Sequence, residues 1–308
     1  MKKIELLLLM SLLLIISCKP KNNLIVENKV KEEVNYIPYY LKVYEADSLY
    51  LSNNFQRSYE ILDSLFKIYE PKDTDSYDEY GIYLGSAVMS GNIDKNFEKK
   101  VSFGYSNFGF ITARHKDWEK IIDTIEKVAN LNKDKIDLLR QEYKNKINIK
   151  LRNELLSMYK DDQRVRTRYV NETELEIVDL KNRKKLENIL DIYGYPSTAL
   201  IGSNNSFEDF LSIDILFLHQ NDNFKEKYLP MLLDNVKKGK CNPRDYALIY
   251  DRKMWESIDK QYFGSYISDE KKISPELLNP KKVDSLRKNI GLDNIFYNSW
   301  RLNKIRNN

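Results

Sequence analysis

LRNELLSMYKDDQRVR, residues 151–166, is the stretch that decides how this chain folds. Leu151, Leu155, Met158, Asp162 and Val165/Arg166 recur at steps of three and four, the period of a helix with one buried stripe. The stripe starts apolar and ends on charge. A buried charge without a partner costs several kcal/mol, so Asp162 and Arg166 must meet each other, water or a ligand. At i,i+4 the two can also simply pair on the helix surface, worth only a few tenths of a kcal/mol. The segment therefore sets a mainly α class and points to a polar cluster.

Moving downstream, further helices are legible. One covers 180–193 and is stopped by Gly194-Tyr195-Pro196. Ser206-x-x-Asp209 reads as a capping box opening the next, although 213–217 also reads as a strand. Another ends at Lys237-Lys238-Gly239, and Asn242-Pro243 opens its successor as cap and first residue. Tyr262 to Ile267 and the segment around Ile273 are expected to pair as a short β-hairpin, and a last helix runs from Asn279-Pro280 to Gly291. Polar residues again sit on the stripes. His219 follows Phe207, Leu211 and Ile215; Asp251 follows Ala247, with Arg252 on the Leu248 row; Arg287 aligns with Val283 and Ile290. Asp162, Arg166, His219, Asp251, Arg252 and Arg287 are expected to converge, either as a sealed network or as a ligand site.

Upstream, 39–146 reads as helical hairpins. The first turns at Asn53-Asn54 and the second at Gly91-Asn92, 38 residues later. Phe55, Ser58, Leu65 and Pro71 fall where tetratricopeptide repeats carry Tyr, Ala, Ala and Pro, so this region resembles such repeats. The resemblance implies a groove for a protein partner. Residues 147–308 form a separate C-terminal helical domain, long enough to bury its own core.

At the amino terminus, Lys2-Lys3 precede an apolar run from Leu6 to Ile16, too short for a bilayer, which takes roughly 20 residues. Ile15-Ile16-Ser17-Cys18 resembles the bacterial lipobox. Residues 1–17 are read as a signal peptide, Cys18 as the lipidated new terminus and 18–38 as a tether. No acidic export run follows Cys18, which places the protein at the outer membrane, facing the periplasm. The remaining Cys241 then has no disulfide partner and is expected to be a buried thiol.

Composition narrows the function classes. The chain has 308 residues and 50 Lys+Arg against 46 Asp+Glu, too even a balance for a nucleic-acid binder. With two histidines, a histidine metal site is not expected, and His115 reads as surface. No Gly-x-Ser-x-Gly or His-Glu-x-x-His template occurs, and no cofactor is implied.

Residues 147–298 resemble a bacterial domain family of unknown function found on lipoproteins and secreted proteins. Asp162-Gln163 with Arg166, Asp179 with Asn182, Gly194-Tyr195-Pro196, His219, Tyr246-Ala247 with Asp251-Arg252, Gln261 with Gly264, and Val283-Asp284 with Arg287 carry the resemblance in order. It implies that Asp162, Gln163, Arg166, Asn182, His219, Asp251, Arg252, Gln261 and Arg287 belong to the candidate site. Leu218, Asn221, Phe263, Ser265 and Tyr266 depart from the pattern, and Phe263 lacks the hydroxyl a hydrogen-bonding tyrosine would supply. Two functions follow. One is a binding module, with the repeats for a protein and a polar pocket for a small anion. The other is a hydrolase or transferase using His219 as general base, oriented by Asp162 or Asp251, with Arg166, Arg252 and Arg287 clamping the substrate.

Overall fold

Asparagine side chains start many of the helices. Asn54, Asn132, Asn148, Asn171, Asn221 and Asn242 each accept a backbone N–H two or three residues ahead, satisfying a donor that the first turn leaves open. The computed structural model describes residues 34–72, 78–112, 114–166, 171–267 and 272–307. Residues 1–17, Cys18 and the tether as far as residue 33 lie outside the described residues.

The architecture is mainly α. The helices are α1 Ile37–Leu51, α2 Phe55–Leu65, α3 Glu79–Ser90, α4 Phe97–Phe108, α5 Trp118–Val128, α6 Lys133–Lys146 and α7 Ile149–Val165. There follow α8 Glu172–Tyr193, α9 Thr198–Ile201, α10 Ile213–Leu218, α11 Asp222–Lys237, α12 Pro243–Ile258, α13 Val283–Asn289 and α14 Tyr297–Asn307. Both expected turns, at Asn53-Asn54 and Gly91-Asn92, separate paired helices, and α1, α2 and α3 pack in succession. Gly81 on α3 lets the chain approach closely, since a Cβ there would sit 1.8 Å from the Thr112 carbonyl oxygen.

Residues 34–308 form one compact unit, and contacts cross position 146/147. The Tyr36 amide donates to the Lys237 carbonyl at 2.7 Å. The Tyr40 hydroxyl reaches the carbonyls of Val236 and Cys241. Helix α14, which the sequence pattern does not reveal, packs on α1: Tyr297 Oη and Arg301 Nε donate to Asp47 Oδ2 at 2.7 and 2.8 Å, and Asp47 is fully buried.

Two local expectations change. The capping box expected at Ser206 does not form: Ser206 ends a single 3₁₀ turn, Asn204–Ser206, that Ser203 caps, and the helix starts at Ile213. Arg152 donates to the Ile201, Gly202 and Asp209 carbonyls, and Asn204 bonds the Leu211 N–H and C=O, so the 201–211 backbone is held by side chains. The short β-hairpin is not formed as strands. Only isolated bridges, Ile267 with Ile273 and Gln261 with Leu277, occur among the described residues. The Tyr262, Phe263, Ser265 and Tyr266 N–H groups donate to the side chains of Asp251 and Gln261 instead of to a neighbouring strand.

Candidate functional site

The residues expected to share one site occupy three separate clusters. In the first, α7 presents Asp162, only 1% exposed, to His219 at the carboxyl end of α10. His219 Nδ1 lies 2.9 and 2.8 Å from the two Asp162 oxygens, so the carboxylate accepts the Nδ1 proton and fixes the ring. Arg166 Nη1 pairs with Asp162 Oδ1 at 2.7 Å, and its Nη2 spans both oxygens of Asp179 at 2.7 and 2.9 Å. Gln163 Nε2 donates to Asp162 Oδ2 at 2.8 Å. Asn182, buried on α8, donates to the Met158 carbonyl. The cluster ties α7, α8 and α10 together and leaves the imidazole 23% exposed.

The second cluster is an ion-pair group on α11 and α12. Lys225, 1% exposed, pairs with Glu256, and Arg252 Nε donates to the same carboxylate at 2.6 Å. Burial pushes the Glu256 carboxyl up, but Lys225 and Arg252 outweigh it and hold it below its ordinary range. The third cluster organises the turn after α12. Asp251 is fully buried and accepts the N–H groups of Tyr262, Phe263 and Ser265 at 2.7, 2.9 and 2.8 Å. Burial raises its carboxyl above the usual value despite these donors. Gln261 bonds Tyr266 and Pro275, and Arg287 donates to the Asp293 and Phe263 carbonyls and to Asp293 Oδ1. The common site is thus corrected: Asp162, Gln163, Arg166, Asn182 and His219 stay near one another, while Arg252 goes to the second cluster and Asp251, Gln261 and Arg287 to the third. The physical reason is that backbone groups satisfy most of Asp251, Gln261 and Arg287, while the partly exposed Arg252 pairs with Glu256.

His115 is corrected too. It is 6% exposed, packed on the rings of Tyr50 and Phe55, with Nδ1 accepting the Asp117 N–H, and burial lowers its pKa. Cys241 is buried, and burial pushes its thiol well up.

A cleft of about 850 Å³ lies elsewhere, lined by parts of α1, α10, α12 and α14 and the 195–214 segment. Its wall carries Arg114, Arg152, Lys240, Arg244, Arg287, Arg301 and Arg306 against Asp214, Asp245 and Asp293. Several of these cations are committed: Arg114 to Asp78, Arg287 to Asp293, Arg301 to Asp47 and Arg152 to backbone carbonyls. Lys240, Arg244 and Arg306 are exposed and have no ion pair among the described residues. Of the candidates read from the sequence, only Arg287 lines this cleft; His219 does not. The sequence pattern missed Asp214, Asp245, Arg244 and Arg306, which lie on no buried stripe, and also Asp47, which does lie on one, in step with Val43, Tyr44, Tyr50 and Leu51. Among the described residues no group of His, Cys, Asp and Glu could hold a metal, and no helix is long and apolar enough to cross a membrane.

No family model matches the chain, and neither does any curated protein or solved structure.

Proposed function

We propose that this chain is a bacterial cell-envelope lipoprotein that works by binding. Lipid on Cys18 anchors it at the outer membrane, facing the periplasm; the tetratricopeptide-like hairpins of 39–146 meet a protein partner; and the cleft takes a small anionic ligand. Residues 147–298 are proposed as a member of the uncharacterised bacterial domain family that they resemble. The observation that carries the ligand reading is the cleft itself. At about 850 Å³ it is within the range of small-molecule sites, and Lys240, Arg244 and Arg306 face it without partners among the described residues. Forked guanidinium donors match carboxylate and phosphate oxygens.

The hydrolase or transferase alternative has one supporting contact, the Asp162–His219 pair. Its arginine clamp lacks support, because Arg252 and Arg287 are held in the other two clusters. Binding is therefore the better reading.

Two measurements test it. A palmitate analogue is expected to label the wild type in cells and not Cys18→Ala; equal labelling overturns the anchor. Citrate and acidic peptides are expected to raise the melting midpoint of the mature chain, and the double variant Arg244→Gln/Arg306→Gln is expected to lose that rise. No rise with any probe, or a rise unchanged in the variant, overturns the anion site.

A further inference from the structure

The charges on the cleft wall are mixed in a particular way. Asp214 and Asp245 both stand close enough to Tyr195 and Cys241 to raise the pKa of each, after burial, by like-charge repulsion. Tyr195 Oη lies 3.5 Å from Asp245 Oδ2. Tyr195, Asp214 and Asp245 all line the cleft, so one corner of it is acidic. Asp214 takes a hydrogen bond from the Ser212 hydroxyl and has no ion pair among the described residues. Lys240, Arg244 and Arg306, on the same wall, do not pair with it. A cleft built for a plain polyanion has no use for two carboxylates, which would repel the ligand and weaken binding. A ligand that is both cation and anion satisfies both sets.

The remaining lining points to the same chemistry. Asn298 and Asn303 on α14 are exposed to the cleft, each with a donor and an acceptor that match a peptide group. Ile213, Leu248, Ile267, Leu292 and Ile295 give apolar surface for side chains.

We propose that the cleft takes a short acidic peptide with a free amino terminus, its ammonium group at the Asp214/Asp245 corner and its carboxylates at Lys240, Arg244 and Arg306. This rests on the anion-binding reading above and narrows it to a zwitterion.

Calorimetric titration of the mature chain with the tripeptide Ala-Ala-Glu, its N-acetyl form and citrate tests both levels. The free tripeptide is expected to bind at least about tenfold more tightly than its N-acetyl form, a difference of about 1.4 kcal/mol. Asp214→Asn is expected to erase that preference, and Arg244→Gln/Arg306→Gln to weaken both peptides. Equal affinity for the free and acetylated peptides on the wild type, or citrate binding as tightly as the free peptide, overturns the zwitterion and leaves an anion site standing. Absence of binding by all three probes overturns the anion site as well. The comparison of free and acetylated peptide needs no variant, so a misfolded mutant does not blunt the test.

Discussion

Replacing Asp251 by Ala removes the acceptor of three backbone N–H groups at once. Those of Tyr262, Phe263 and Ser265 lie 2.7–2.9 Å from its oxygens. A hydrogen bond to a charged group contributes roughly 1.5–3 kcal/mol, and a stranded buried donor costs roughly 1–3 kcal/mol. The sum is offset by relief of the desolvation that already pushes this fully buried carboxyl up. A net loss of about 3 kcal/mol is expected, a fall in melting midpoint of about 6–12 °C at roughly 2–4 °C per kcal/mol. Asp251→Asn refines the test. Its Oδ1 still serves Tyr262 and Phe263, while an NH₂ group replaces the oxygen that served Ser265, so about 1–2 kcal/mol is expected. Urea denaturation of the three proteins, compared at equal m-values, gives the numbers. A loss below about 0.5 kcal/mol in the Ala variant would refute the claim that this carboxylate organises the turn. An Asn variant as damaged as the Ala variant would show that charge rather than acceptor geometry matters.

Arg301→Ala leaves the buried Asp47 carboxylate without its cation, with the Tyr297 hydroxyl still donating to it, and is expected to cost about 3–5 kcal/mol by urea denaturation, with a smaller loss in the double variant Arg301→Met/Asp47→Asn; equal losses would deny the pair. His115 has a pKa lowered by burial, so below about pH 6.5 the unfolded chain takes up a proton that the folded chain refuses. Its contribution is complete above that pH and is lost as the pH falls. The difference in melting midpoint between pH 7.5 and 5.5 is expected to shrink in His115→Phe, and an unchanged difference would place the effect elsewhere. Residues 147–308 produced alone lack Asp47, Tyr36 and Tyr40, which bond Arg301, Lys237 and Val236 in the intact chain. A broad, uncooperative melt is expected, and a sharp one would show that the C-terminal helices are self-sufficient.

The helical class, the Asn242 cap and the turns at Asn53-Asn54, Gly91-Asn92 and Asn242-Pro243 were legible in the sequence, because each depends on residues within one or two turns. The Asp162–Arg166–His219 contact was also foreshadowed, since a charge on an apolar stripe has to be met by something. What meets a buried charge is a different question. Asp251 is met by backbone N–H groups, which nearly every residue carries and which therefore leave no mark in the sequence. Asp47 is met by Arg301, 254 positions away, on a helix whose polar and apolar residues show no clear stripe. The segment 213–217 was ambiguous between helix and strand because a run of five apolar and acidic residues is too short to fix a period. The cleft belongs wholly to tertiary structure: its charged wall is assembled from segments far apart in the chain, each of which alone reads as an ordinary solvated surface. Local periodicity determines which face of a helix is buried, and packing between distant helices determines which exposed charges come to share a cavity.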